Sequence, residues 1–274
     1  MMRASAPATP ESSTSVWARG DAYEPFVGRW SRLVAVEFLR WLAVPAGARW
    51  LDVGCGTGAL TATILRLCEP AGISGVDASA PYVEHARRHV RDSRVSFAIG
   101  DAQALPEPDG TANAAVSGLA LNFIPAPERA LREMIRVVKP GGVVAAYVWD
   151  YADGMQLIRR FWDAAVALDP AARDLDEGRR FGICHPPALE EVFSDAGLRN
   201  VASRAIDVPT RFRDFADYWE PFLMGQGPAP SYAMTLDESH RDALREQIRS
   251  ELPIATDGSI SLSARAWAVK GERV

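Results

Sequence analysis

From Trp30 onward apolar residues recur every three or four positions, at Leu33, Val34, Phe38, Leu39 and Trp41. This spacing predicts a helix from about Pro25 to Ala43, stopped by Pro45-Ala46-Gly47. The pattern then changes to short apolar runs bounded by Gly, Asp or Ser. These predict strands at Arg49–Val53, Ala71–Val76, Val95–Ile99, Ala114–Val116 and Val143–Trp149. Between them, helical periodicity predicts helices at Ala59–Cys68, Ser79–Arg91 and Glu128–Val138, the last closed by Lys139-Pro140-Gly141-Gly142. Strands alternating with helices describe an α/β, Rossmann-like core, a parallel sheet covered on both faces. Ligands of such sheets bind at the carboxyl edge, where strand order reverses.

Past Trp149 the chain changes character. Met155–Leu168 is an amphipathic helix, Pro187–Ala196 a second one closed by Gly197, and Val201–Val208 a candidate strand. Arg213–Met224 is rich in aromatics (Phe215, Tyr218, Trp219, Phe222) and breaks at Gly225-Gln226-Gly227-Pro228-Ala229-Pro230. Leu236–Leu252 is helical, and Ser259–Lys270 alternates as a closing strand would. The helices from Arg213 to Leu252 are expected to form a lid before that last strand, with Tyr218, Trp219 and Phe222 enclosing an apolar or aromatic small molecule. Three segments result: a disordered tail over 1–15, rich in Ala, Pro, Ser and Thr; a ligand-binding core over 16–150; and a C-terminal part over 151–274.

The chemistry concentrates at Leu51-Asp52-Val53-Gly54-Cys55-Gly56-Thr57-Gly58. A strand runs into three glycines at alternate positions and then into a helix, so a ligand can approach the backbone and the free N–H groups of the helix. The spacing also satisfies the dinucleotide pattern G-x-G-x-x-G/A, which leaves a nucleotide-dependent oxidoreductase in view. Asp52 separates the possibilities. Beside a pyrophosphate, a carboxylate ~4 Å away would add roughly 4 kcal/mol of repulsion at intermediate dielectric. S-adenosylmethionine carries an ammonium and a sulfonium and no phosphate, so an acid here suits it. Asp77, Asp101 and Ser117–Leu119 fall at the ends of the following strands, on the same edge.

Composition narrows the setting. The 274 residues are 48% hydrophobic and 24% charged, ordinary for a soluble globular protein. A net charge of −5 argues against broad attraction to nucleic acid. Cys55, Cys68 and Cys184 form no spaced set and leave one over from any pair, as expected of free thiols in a reducing, cytoplasmic compartment. No apolar run approaches the ~18–20 residues of a membrane span. Nothing bears on oligomeric state.

Through Leu51–Gly58, the acid at Asp77, Gly100-Asp101-Ala102 and Val137-Val138-Lys139-Pro140-Gly141-Gly142, the chain resembles class I S-adenosylmethionine-dependent methyltransferases. More narrowly it is similar to the type 11 methyltransferases and the ubiquinone/menaquinone biosynthesis C-methyltransferases. The resemblance implies a seven-stranded, mostly parallel sheet whose last strand, Ser259–Lys270, is antiparallel. It also implies methyl transfer to a small organic acceptor, with S-adenosylhomocysteine as the product. By the same resemblance Asp52 and the Gly54–Gly56 backbone hold the methionine end, and Asp77 accepts from both ribose hydroxyls. Ala78 and Ser79 flank the adenine, whose amino group Asp101 receives while the Ala102 N–H donates to the ring. Ser117, Gly118 and Leu119 form the floor, and Tyr23, Arg29 and Trp30 are covering contacts. Ser117-Gly118-Leu119-Ala120 replaces the Asn/Asp-Pro-Pro-Tyr/Phe of enzymes that methylate planar amines. A module that binds the ligand without transferring its methyl group is the alternative from another class.

Methyl transfer is an in-line displacement at an activated carbon, so alignment and desolvation dominate and a base is optional. His185, Asn122 and Tyr147 are the candidates for one, each with a plain packing or surface explanation beside it. His85 and His89 stand i,i+4 without a third ligand, so no metal is expected. Arg87, Arg88, Arg91 and Arg94 read as a solvated face.

Overall fold

A computed structural model describes residues 27–225 and 227–274. Tyr23, the expected tail over 1–15 and the Pro25 start of the first helix lie outside the described residues. Helix α1 (Arg29–Leu42) leads into β1 (Arg49–Val53), α2 (Ala59–Leu67), β2 (Gly72–Asp77), α3 (Ala80–His89) and β3 (Val95–Ile99). Then come β4 (Ala112–Gly118), α4 (Pro127–Val137) and β5 (Val138–Trp149), followed by α5 (Gln156–Leu168), α6 (Glu177–Arg180), α7 (Pro186–Asp195) and β6 (Arg199–Phe212). The chain ends with α8 (Phe215–Trp219), α9 (Pro228–Thr235), α10 (Glu238–Glu251) and β7 (Ile260–Glu272).

The seven strands lie in the order β3-β2-β1-β4-β5-β7-β6. Strands β1 to β5 pair in parallel, whereas β7 runs antiparallel to both neighbours. From β1 the chain steps outward through β2 to β3, then returns to β4 on the other side. The switch point therefore falls between β1 and β4, where a crevice must open. Right-handed crossovers put α2 and α3 on one face and α4 on the other. The middle of the sheet is built of small residues: Ala114, Ala115, Ala145, Ala146, Ala266 and Ala268 are all fully buried. Small side chains let the helices approach, and the larger Phe38, Phe161 and Trp162 fill the layer above.

Several elements extend beyond the sequence pattern. Strand β6 continues to Phe212 because each residue from Ala202 on finds a partner on β7. Strand β5 begins at Val138, opposite Ala112, so Lys139-Pro140-Gly141-Gly142 becomes a register shift instead of a loop, with Gly141 at φ 77°. The Gly/Pro break runs into α9, with Pro228 in its first turn, where the missing N–H costs nothing. The turn Pro170–Leu175 and helix α6 were not expected. Each is capped by an aspartate: Asp169 accepts from the Ala171 N–H and Asp176 from the Gly178 N–H. No helix among the described residues is long and apolar enough to cross a membrane.

Candidate functional site

The glycine turn after β1 owes its path to backbone that only glycine adopts easily: Gly54, Gly56 and Gly58 have φ of 71°, 52° and 86°. A Cβ on Gly54 would stand 2.4 Å from Cβ of Ala120, so turn and β4 loop touch with no room to spare. The N–H groups of Gly54 and Cys55 both donate to the Val76 carbonyl, at 2.8 and 3.1 Å. Gly56 N–H donates to Asp77 Oδ2 at 2.9 Å, and Ser79 N–H donates to Oδ1 at 2.8 Å. These bonds aim the Asp77 carboxylate, with one lone pair on each oxygen still available. All three N–H groups of the Gly54–Gly56 backbone are thus bonded within the protein, while the three residues themselves line the cavity at the switch point.

Asp52 is fully buried. Its Oδ2 accepts from the Thr61 hydroxyl at 2.6 Å, while Oδ1 has no hydrogen-bond partner among the described residues. Burial, assisted by the nearby Asp77 charge and opposed by Thr61, pushes its carboxyl up to about 7. Asp77 is raised as well, by burial, against the two N–H groups that bind it. A half-bonded buried acid beside a second acid is costly unless a positive group joins them. Cys55 follows the same logic: burial first, then the two carboxylates, raise its thiol, which makes it a poor nucleophile and a small turn residue.

Both acids open onto a cavity of about 470 Å³ at the switch point. Its wall at one end is Asp52, Gly54, Cys55, Gly56, Asp77, Ala78 and Ser79, continued by Asp101 and Ala102 at the β3 end and by Gly118 and Leu119 beneath. The floor is tight. Leu119 adopts φ 59°, and a Cβ on Gly118 would lie 2.6 Å from the Tyr147 hydroxyl. At the other end the wall turns aromatic and apolar, with Phe123, Ile124, Tyr147, Trp149, Tyr151 and Ile158, and then meets the carboxylate of Glu177.

Not every expected residue reaches this cavity. Arg29 instead binds Asp217, its Nη1 reaching both carboxylate oxygens at 3.0 and 3.3 Å, and lies over the Trp30 and Phe212 rings. It ties α1 to α8. Ser117 is fully buried behind the floor, and Gly58 shapes the turn without lining the space. Tyr218, Trp219 and Phe222 are also elsewhere. They pack against Phe161, Phe212 and Phe215, and the Tyr218 hydroxyl donates to the Leu157 carbonyl. Their aromatic spacing marked a core, and nothing in periodicity distinguishes a core from a lid. His185 is half-buried at the start of α7, off the cavity wall. Asn122 is buried off the wall too, its amide unpartnered among the described residues. Of the three base candidates only Tyr147 lines the cavity. Asp101 is exposed and accepts from the N–H groups of Gln103 at 2.8 and 3.1 Å. Trp149, Tyr151, Ile158 and Glu177 went unnoticed as site residues. For Glu177 the one available signal was the aspartate cap before it.

Residues 51–146 match a family described as a methyltransferase domain. The chain is 34% identical over 124 residues to 2-methyl-6-phytyl-1,4-hydroquinone methyltransferase of Synechocystis sp., covering 45% of this chain and 39% of that protein. It is 36% identical over 120 residues to demethylmenaquinone methyltransferase of Symbiobacterium thermophilum, covering 42% of this chain and 47% of that protein. The chain thus spans less than half the length of these relatives. Phosphoethanolamine N-methyltransferase 2 of Haemonchus contortus, solved in complex with S-adenosyl-L-methionine, superposes with a TM-score of 0.58 at 17% identity, over 97% of this chain and 58% of that one. The [4+2]-cyclase SpnF gives 0.52 at 24% identity, over 90% of this chain and 81% of its own. At such identities the likeness is one of fold.

Proposed function

We propose, from the match of residues 51–146 to a methyltransferase domain family and the acids of the site, that the chain moves the methyl group of S-adenosyl-L-methionine to a small apolar or aromatic acceptor, leaving S-adenosyl-L-homocysteine. When bound, that ligand supplies a methyl group on a cationic sulfur, already activated toward nucleophiles. The observation that carries this reading is Asp52, a buried carboxylate with one oxygen unpartnered among the described residues and with Asp77 beside it. A cation satisfies that pair, and a pyrophosphate would be repelled by it.

The residues divide the work. Asp52 receives the ammonium of the methionine end, and the first turn of α2 meets its carboxylate. Asp77, held by Gly56 and Ser79, accepts from the ribose hydroxyls through its remaining lone pairs. Ala78, Ser79, Asp101 and Ala102 border the adenine. Gly118 and Leu119 support the reacting end, and the aromatic wall from Phe123 to Ile158 excludes water and orients a flat acceptor. The free thiols of Cys55, Cys68 and Cys184 fit a reducing, cytoplasmic setting. The net charge of −5 supports a small-molecule acceptor over nucleic acid.

Calorimetry with S-adenosyl-L-methionine and with NAD, followed by mass spectrometry for S-adenosyl-L-homocysteine over a panel of hydroquinones and phenols, tests the reading. Binding of NAD alone overturns it. Asp77→Ala is expected to raise the dissociation constant at least about tenfold, through loss of hydrogen bonds to a charged acceptor. A second reading, a chain that binds the ligand without transferring its methyl group, draws support from the fold shared with the cyclase SpnF. Binding without turnover across the panel would favour it.

A further inference from the structure

Away from the glycine turn, the cavity wall of Phe123, Ile124, Tyr147, Trp149, Tyr151 and Ile158 is interrupted by one carboxylate among the described residues, Glu177. Glu177 is 2% exposed. The indole N–H of the fully buried Trp162 donates to its Oε2, which sets the orientation of the carboxyl. Its neighbour Asp176 caps α6 through the Gly178 N–H at 2.9 Å and takes two guanidinium nitrogens of Arg159 at 2.9 and 2.8 Å. Arg159 also donates to the Tyr151 carbonyl at 3.0 Å. This clamp holds the backbone at 176–178 against the cavity wall and commits the nearby cation to Asp176. Glu177 has no ion pair among the described residues. For packing alone an apolar side chain would be better here, because a buried acid costs free energy unless it is used.

Resting on the methyltransferase reading, we propose that Glu177 is the general base of the reaction and that the acceptor is a phenol or hydroquinone whose hydroxyl it deprotonates. The acceptor ring lies against the aromatic wall with its hydroxyl toward the carboxylate. As a lone pair of the hydroxyl oxygen forms the bond to the methyl carbon, the methyl–sulfur bond breaks and its electron pair stays on sulfur. The hydroxyl proton passes to Glu177, so charge balances without a further reactant. The local electrostatics suit the task. Burial pushes the carboxyl up to about 7, with Asp176 adding to the rise and Trp162, the residue's own backbone N–H and Arg159 opposing it. Among the described residues, Cys184, Asp150, Tyr147 and Tyr151 are further titratable groups on or beside that wall. A base of that strength is half ionised near neutrality.

Glu177→Gln keeps size and shape and removes the base. S-adenosyl-L-methionine affinity by calorimetry is expected to stay within about twofold, while kcat on hydroquinones falls about 100-fold or more with little change in KM. The acidic limb of the wild-type pH–rate profile, near pH 7, disappears. Trp162→Phe removes a hydrogen bond to the ionised form, so that limb moves to higher pH. A readout free of turnover uses infrared difference spectra on adding 4-cyanophenol to the protein without methyl donor. A buried-carboxyl band shifts in the wild type and is missing in Glu177→Gln. An unaltered kcat, a limb that survives the substitution, a loss confined to KM for amines, or identical 4-cyanophenol spectra would each overturn the assignment. If the wild type does not bind S-adenosyl-L-methionine, the methyltransferase reading fails, and the infrared comparison still decides whether Glu177 meets a phenol.

Discussion

Asp52 on β1 and Asp77 at the end of β2 flank the glycine turn, and their proximity governs how ligand binding responds to pH. In the free protein the Asp52 carboxyl is raised to about 7, chiefly by burial. A bound cation favours the ionised form, so below pH 7 binding expels a proton. Affinity for S-adenosyl-L-methionine is expected to climb as pH rises toward 7 and then level off. Asp52→Asn should flatten that dependence and weaken binding by about 1.5–3 kcal/mol, the worth of a hydrogen bond to a charged group. Calorimetry in buffers of different ionisation enthalpy, from about pH 5.5 to 8.5, measures proton release directly; none in the wild type would remove Asp52 from the cation site. Asp52 and Asp77 could be read in the sequence because their chemistry depends on spacing to a local turn. Glu177 could not, since Asp176-Glu177-Gly178-Arg179-Arg180 resembles any solvated charged loop until Trp162 is packed over it.

Among the elements, α8 and the turn after it were expected to move over the site, yet they stand in the core. Trp219 is 5% exposed, stacked on Phe215 and tilted against Phe222. Trp219→Ala is expected to lower unfolding stability by about 3–5 kcal/mol in denaturant titration, leaving acceptor KM unchanged. A changed KM with stability intact would restore the lid. The glycine turn carries the opposite expectation. Gly54→Ala meets both a positive φ and a contact at 2.4 Å with Ala120, so it should cost at least about 1–3 kcal/mol and displace the β4 floor. A variant with wild-type melting and ligand affinity would show that turn and floor are not coupled.

For the molecule as a whole, two fully buried carboxyls raised to about 7, Asp52 and Glu177, make the ligand-free fold more stable in mild acid than in mild base. Between the ordinary carboxylate range and pH 7 the folded state holds protons that the unfolded chain has released. Stability is therefore full below the unfolded values and is lost as pH rises through 7. The upper bound is on the order of 4 kcal/mol for Asp52 and 3 kcal/mol for Glu177. Melting temperature should fall from about pH 5 to 8. Asp52→Asn and Glu177→Gln should each blunt the fall, and S-adenosyl-L-methionine should offset the Asp52 share only. A melting curve independent of pH over that range would mean neither acid is buried as described.

Local sequence was enough for the alternation of strands and helices and for the acid–glycine turn, because each depends on residues a few positions apart; the antiparallel sense of the closing strand, which rests on pairing with β5 and β6, entered only through the family resemblance. Contacts between distant segments decided which aromatics line the cavity and which fill the core: Tyr147 on β5 and Tyr218 on α8 are both buried, yet the first faces the cavity and the second bonds the Leu157 carbonyl. They likewise decided that Arg29 serves Asp217, 188 residues away in the chain, and that Arg159 serves Asp176 and leaves Glu177 unpaired by any cation among the described residues. Burial and pairing belong to contacts between distant segments, and no periodicity encodes them.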